Sequence, residues 1–167
     1  MSTGLKRFDP AAIVRDSNKL TDVFGYWPTF HDAEIHSFCL TVADGQPWLT
    51  DSDSSVLDMH IHVFEMTKEV SAEGYFVLAK HTLAHLRFRN VEDLSVSHFS
   101  HQNCIFEMVF GVEPMSFPSG GGPAEGPPCN VIKVNIHSSC GLQGEFKCYS
   151  AEVVSAVSCD EDGNLSH

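Results

Sequence analysis

The sequence is short of positive charge. Lys and Arg together number 10 against 22 Asp and Glu, and the formal net charge is −12 with His neutral. Proteins that bind nucleic acid contact its phosphates with Lys and Arg. This balance argues against nucleic acid as a partner. It leaves either plain solubility or electrostatic attraction to a basic partner as the interpretation of the acidic surface.

Two further absences concern membranes and export. No apolar run in the sequence is long enough to span a membrane. The opening residues, MSTGLKRFDP, are polar and contain no apolar segment of the kind found in a cleaved signal peptide. We therefore expect a cytoplasmic protein.

The sequence also lacks the motifs of common enzymes and cofactor sites. It contains no phosphate-binding loop, dinucleotide fingerprint, Ser nucleophile elbow or internal repeat. The six Cys are scattered and never form a CxxC pair, so we expect free thiols rather than disulfides or a zinc cluster. These absences indicate a protein that is not an enzyme and has no cofactor.

What the sequence does contain is enough apolar material for one core. Its 167 residues are 43% hydrophobic, which predicts a single domain over residues 1–167 that folds without metal or disulfide staples. Residues 9–25 have helical spacing of apolar side chains. Asp9 suits the N-cap, Pro10 the first turn and Gly25 the end of this helix.

After the helix the period changes to the alternation typical of strands. About seven strands are predicted over residues 34–112 and 130–157, one of them burying Phe106, Met108 and Phe110. A Pro- and Gly-rich loop covers 114–129, and 159–167 is predicted to be a frayed acidic tail. The fold class is therefore mainly β with a minor α component: an antiparallel β-sandwich or partly open barrel with one N-terminal helix.

The densest stretch of the chain lies where helix gives way to strand, and it reads FGYWPTFHDAEIH over residues 24–36. Its ionisable members, His31, Asp32, Glu34 and His36, have the chemistry for a metal site or acid–base catalysis. On an extended backbone, however, only alternate residues share a face. The competing interpretation is structural: Asp32 accepts backbone N–H bonds at a turn, and His31 bonds a buried partner.

Histidines and aromatic residues form two more candidate groups. His60 and His62 share one face of a predicted strand, and His81 and His85 join them if two strands pair in a suitable register. This group is a solvated His-rich face, a metal site or a pH-sensitive contact surface. Tyr26, Trp27 and Phe30 are either an exposed binding anchor or, more in keeping with their size, part of the core.

Two stretches together resemble the immunity protein 50 family, small bacterial proteins encoded beside toxins of polymorphic toxin systems. The first is WPTFHDAEI at 27–35, and the second is HLRFRNVEDLSVSHFSHQNCIFEMVF at 85–110. The resemblance extends over about residues 20–155, although the insertion at 114–129 fits the family pattern poorly. The matching motif residues, which we interpret as structural, are Trp27, Pro28, Phe30, His31, Asp32, Glu34, Gln102 and Asn103.

The resemblance implies a non-enzymatic, mostly β protein that binds and neutralises a cognate toxin, for example a basic nuclease. Candidate contacts with the toxin are acidic residues expected on the surface: Asp51, Asp53, Glu92, Asp93 and Glu107. The main alternative is a small metal-binding β-barrel enzyme or ligand-binding domain that uses His31, Asp32, Glu34, His60 and His62. A third hypothesis is a structural β module that packs into a homodimer.

Overall fold

The computed structural model describes residues 8–42, 55–114 and 130–165. They form two short helices, α1 (Pro10–Ile13) and α2 (Asn18–Phe24). Eight strands follow: β1 (Glu34–Val42), β2 (Ser55–Val70), β3 (Phe76–Arg89), β4 (Glu92–Ser97), β5 (Cys104–Pro114), β6 (Asn130–Cys140), β7 (Gln143–Cys148) and β8 (Ser150–Ser158). The predicted loop at 114–129 lies outside the described residues except for Pro114, which ends β5.

The predicted single helix over 9–25 is two helices. The N-cap prediction is confirmed, because the Asp9 carboxylate accepts a hydrogen bond from the Ala11 N–H at 3.0 Å, and Gly25 ends α2 with a left-handed φ of 85°. Between the helices, Arg15 leaves the helical path and forms a parallel bridge with Glu152 of β8. This long-range pairing interrupts the helix.

The strands form one antiparallel sheet in the order β4-β7-β6-β5-β1-β2-β3-β8. The two middle strands, β1 and β5, share a single register pair, Glu34 with Cys104, so the sheet consists of two four-stranded halves joined at a narrow seam. The sheet is not closed into a barrel. The mainly β antiparallel fold class is confirmed.

The core lies between the two halves. Phe88 of β3 and Phe146 of β7 belong to different halves, yet their ring centroids are 4.9 Å apart, so the sheet curls until its halves face each other. Alternate residues of β2 point into this core, as their pattern predicts, including Leu57, Met59 and Ile61, which have no exposed surface.

One predicted core residue is on the surface. Phe106 of β5 is 55% exposed, so the prediction that it is buried is wrong, although its predicted companions Met108 and Phe110 are buried. The pairing of β5 with β6 is irregular between Ile105 and Glu107. A bulge there buries Ile105 and turns Phe106 outward, because one extra residue reverses the alternation of faces.

The predicted frayed tail is ordered as far as the structure describes it. The Asp160 carboxylate accepts hydrogen bonds from the Asn164 N–H at 2.7 Å and the Asp162 N–H at 3.0 Å. Gly163 is buried against the outer face of β1 and β2, beside His36 and His62. A tight turn over residues 160–164 therefore replaces the predicted disorder.

Candidate functional site

The site begins at the corner that joins α2 to β1, the stretch of the sequence richest in aromatic and ionisable residues. Phe30 and Asp32 have left-handed φ angles of 58° and 63°. Non-glycine residues adopt this conformation infrequently, and it tends to occur at functional sites when the surroundings hold it in place. The surrounding hydrogen bonds do so here: the Asp32 N–H donates to the Ile105 carbonyl at 2.9 Å and the Ala33 N–H to the Phe30 carbonyl at 3.1 Å.

The apolar motif residues at this corner fill the core. Phe30, Ala33 and Ile35 are each at most 2% exposed. The Trp27 ring makes edge contacts with Phe30 and Phe110, at centroid distances of 5.8 and 5.9 Å. The structure thus places Trp27 and Phe30 against the core.

His31 and Asp32, by contrast, face solvent. Their side chains are 53% and 43% exposed, and His31 Nδ1 lies 3.0 Å from Asp32 Oδ2. The interpretation that Asp32 accepts backbone N–H bonds and that His31 bonds a buried partner is wrong. The Asp32 and Ala33 N–H groups already donate to backbone carbonyls, and the His31 N–H donates to Thr29 Oγ1. Within the described chain the Asp32 carboxylate therefore pairs with His31 alone.

Neighbouring strands complete this exposed surface. The His31 ring packs on Phe106, with ring centroids 5.3 Å apart, and the bulge that exposes Phe106 makes this contact available. On the other side, the exposed Tyr26 hydroxyl donates a hydrogen bond to Glu65 of β2 at 3.1 Å. We call the exposed and half-buried residues Tyr26, Thr29, His31, Asp32, Phe106 and Glu107 the corner surface.

Three concavities meet on the corner surface, and Thr29 lines all of them. The largest, about 570 Å³, lies between α1, residues 25–29 and β5. A second, about 270 Å³, separates His31 and Asp32 from residues 63–66 of β2. The third, about 400 Å³, is lined by Thr29, His31, Phe106 and Glu107. The corner is therefore a ridge between depressions, a shape that complements a groove on a partner.

The charges around this ridge are mainly acidic. Glu65 pairs with Lys80 at 2.9 Å. The hydrogen bond from Lys80, followed by that from Tyr26, lowers the pKa of Glu65. Burial and the hydrogen bond to Glu65 raise the pKa of Tyr26, so the Tyr26 hydroxyl keeps its proton and remains a donor.

The predicted acidic contact residues do not form one patch. Glu107 lies on the corner surface. Glu92 and Asp93 lie on β4, separated from β5 in the sheet by β7 and β6, and they contact the Tyr149 hydroxyl at 3.2 Å and Lys147 at 3.2 Å. Asp51 and Asp53 lie outside the described residues.

The residues of the alternative metal site are also dispersed. Glu34 is opposite His62 across β1 and β2, His31 and Asp32 lie on the corner surface, and His60 contacts Ser37 at 2.8 Å. Among residues 8–42, 55–114 and 130–165, no three His, Cys, Asp or Glu side chains are grouped to hold a metal ion.

The histidine group does assemble on the outer face of β1, β2 and β3. His60 stacks on His85 at a centroid distance of 4.3 Å, and His62 Nε2 lies 3.0 Å from His81 Nδ1. The prediction of a solvated face is wrong for His62, which is only 4% exposed because the turn containing Gly163 covers it.

The electrostatics favour neutral rings for His60 and His62. Burial, followed by repulsion from His85, lowers the pKa of His60. Burial, followed by repulsion from His81 and then His36, lowers the pKa of His62. Beside them, burial opposes ionisation of Asp58, but hydrogen bonds from Arg87 and His85 outweigh it and lower its pKa.

Of the motif residues Gln102 and Asn103, Asn103 has a structural role. Its buried side-chain oxygen accepts hydrogen bonds from the Ser100 and Leu142 N–H groups, each at 3.0 Å, and its Nδ2 donates to the Ser100 carbonyl at 2.8 Å. Asn103 thereby ties the start of β5 to the turn between β6 and β7. The neighbouring Gln102 is exposed.

Sequence reasoning missed Phe106 and Glu65 as members of the site. Alternation alone assigns Phe106 to the core, and no residue type around it marks the bulge. Glu65 becomes a neighbour of Tyr26 only through the tertiary fold.

Comparison with known proteins identifies the family. A family model described as Immunity protein 50 matches residues 16–158, which is most of the chain and includes the corner, both motif stretches and all eight strands. No curated protein and no solved structure shows significant similarity. Neither described helix is long and apolar enough to cross a membrane. On the strength of the family match, the chain belongs to the Immunity protein 50 family.

Proposed function

We propose that this protein neutralises a cognate toxin by binding it through the corner surface, without catalysis. The observation that carries the proposal is the exposure of His31 and Asp32 on a backbone corner fixed by two left-handed residues. Packing in the core accounts for the buried residues of the motif. The exposed His31 and Asp32 have no comparable structural role, and recognition of a partner accounts for them.

The chemistry around His31 and Asp32 suits protein recognition. Aromatic side chains dominate the energetics of protein interfaces, and Tyr26 and Phe106 present 50% and 55% of their surface here. The corner's backbone hydrogen bonds hold these groups in place, so binding loses less conformational entropy than it would on a loose loop.

The net charge of −12 supports a basic partner. We propose that the toxin presents a positively charged surface, as a nuclease does where it holds nucleic acid, and that Asp32 and Glu107 enter it. Opposite fields of this kind accelerate association.

The test is to co-express the chain with the toxin encoded by the adjacent gene and to measure binding by calorimetry. Asp32→Asn removes the charge but keeps a residue that tolerates left-handed φ. We expect it to weaken binding by at least about tenfold. Its free energy of unfolding should change by less than about 1 kcal/mol, because an exposed ion pair contributes little to stability.

Asp93→Asn is the matched control. Asp93 is also an exposed acid with a left-handed φ, 52°, and it pairs with Lys147, but it lies on β4. We expect this variant to bind as the wild type does. If Asp93→Asn loses binding and Asp32→Asn binds normally, the interface lies at the β4 edge and not at the corner surface. If the toxin remains active when co-expressed with the wild-type protein, the proposed function is refuted.

A further inference from the structure

The hairpin formed by β2 and β3 extends beyond the rest of the sheet. Pairing of β1 with β2 reaches only to Glu34 opposite His62, and pairing of β8 with β3 begins at Thr82 opposite Ser158. Within the described chain, the backbone of residues 64–79 therefore pairs only with itself. We call this segment the arm.

One face of the arm is apolar and exposed. Met66 lies opposite Leu78 and Val70 opposite Phe76, and Phe76 and Leu78 are two residues apart on one strand, so all four side chains share a face. Their exposures are 52% for Met66, 37% for Leu78, 58% for Val70 and 57% for Phe76. Two-stranded ribbons are marginally stable in water by themselves, and an exposed apolar patch of this kind typically marks an interaction site.

The base of the arm is continuous with the corner surface. Glu65 and Met66 form one wall of the cavity whose other wall contains His31 and Asp32. The Tyr26 hydroxyl and Lys80 both contact Glu65, which lies on the face opposite Met66 and ties the corner to both strands of the hairpin. Met66 is the residue that brings the apolar face to this cavity. A partner seated on the corner surface therefore meets the arm.

The charges decide between a toxin and a second copy of this chain. A second copy would bring together two molecules that each have a net charge of −12, which opposes association. The arm adds the exposed Glu69 and Glu73 against one exposed Lys68, so it is acidic on balance and suits a partner with an apolar patch bordered by basic residues.

We infer that the apolar face of the arm is a second part of the toxin interface, contacting an apolar patch next to the toxin's basic surface. This inference rests on the proposed function and deepens it. The corner surface supplies the acidic and aromatic contacts, and the arm supplies the apolar ones.

The arm offers a matched pair of variants for the test. Leu78 and Val77 are adjacent and each 37% exposed, but they lie on opposite faces of the ribbon. Leu78→Ser and Phe76→Ser remove apolar contacts from the proposed interface, whereas Val77→Ser makes the same kind of change on the other face. Binding of each full-length variant to the adjacent-gene toxin is measured by calorimetry, with a thermal melt to show that it is folded.

We expect Leu78→Ser and Phe76→Ser each to weaken toxin binding by about tenfold, and Val77→Ser to change it by less than about twofold. If the wild type binds the toxin and all three variants bind equally well, the arm is not in the interface, while the proposed function stands. If the wild type does not bind, both proposals fall. A wild-type dimer that Leu78→Ser converts to monomer, with toxin affinity unchanged, would identify a second copy as the occupant and overturn the inference.

Discussion

At the scale of single residues, neighbouring positions of the motif at 27–35 differ in burial. Phe30 is 1% exposed and packs against Trp27, whereas the next residue, His31, points to solvent. The left-handed φ angles of Phe30 and Asp32 produce this division within four positions of chain. One stretch thereby supplies both a buried core side chain and the exposed surface that we propose recognises the toxin.

Two phenylalanines test this division directly. Phe30→Ala removes a fully buried ring and leaves a cavity, so we expect the free energy of unfolding to fall by about 3–5 kcal/mol. Phe106→Ala removes a ring that is 55% exposed, and we expect a loss of less than about 1 kcal/mol. Urea unfolding of both variants near neutral pH measures the difference. Equal losses would contradict the outward orientation of Phe106.

Sequence reasoning reaches some of these residues and misses others for physical reasons. Aromatic size predicts correctly that Trp27 and Phe30 pack in the core, but the same reasoning is wrong for Tyr26, which is 50% exposed. The exposure of His31 and Asp32 depends on backbone angles that L-residues seldom adopt, and no spacing rule anticipates them. Alternation places Phe106 on the wrong face because the alternation holds only until a bulge interrupts it.

At the scale of secondary-structure elements, β2 and β3 are long strands with several roles. Their inner faces build the core, their outer faces bring the histidines together, and their ends extend as the arm. The pattern of β2 predicts its inner face correctly. It does not predict that the strand continues to Val70, because residues 65–70 are partly charged and are held by pairing with β3.

The predicted helix over residues 9–25 also shows that a local sequence pattern does not report long-range pairing. Apolar spacing predicts one helix over 9–25, and its first and last residues are nearly right. The interruption between α1 and α2 comes from the pairing of Arg15 with Glu152, which are 137 positions apart in sequence. Local pattern contains no information about a bridge to a strand so distant in the chain.

The histidines of β2 make a pH-dependent prediction. The folded state lowers the pKa of His60 and His62 below the usual value of 6.5, so it favours their neutral forms. The unfolded chain binds protons more readily in this range, and the stabilisation present above pH 6.5 is lost as the pH falls through the folded-state pKa values.

Urea unfolding over a series of pH values measures this loss. We expect the free energy of unfolding to decrease on acidification below about pH 6.5, and the decrease to be smaller in His62→Gln. His101→Gln, which changes an exposed histidine outside the group, should retain the wild-type pH dependence. An unchanged slope in His62→Gln would mean that other groups cause the loss.

At the scale of the whole molecule, the charge balance governs how the protein meets its partner. With a net charge of −12, the chain would attract the proposed basic toxin over distances that salt shortens. The contacts that hold the complex are short-ranged, and salt affects them less. Charge should therefore set the rate of association more than the lifetime of the complex.

Stopped-flow measurement of toxin binding over a salt series tests this expectation. We expect the association rate constant to fall by about tenfold or more from low to high ionic strength, with a much smaller change in the dissociation rate. The control replaces the added salt with an uncharged osmolyte. The association rate constant should then stay near its value at low ionic strength. An association rate constant that does not change with salt would show that the acidic surface does not accelerate toxin binding.

The strand order also has a consequence for how the chain folds during synthesis. Strand β8 pairs with β3 through partners as distant as Thr82 and Ser158, so the backbone edge of β3 stays open until β8 leaves the ribosome. Contacts of such long sequence separation are slow to form, and an open apolar edge is available to wrong partners in the meantime. Until β8 emerges, the nascent chain is consequently exposed to aggregation along this edge, and chaperones that cover the edge during this interval should increase the yield of folded protein.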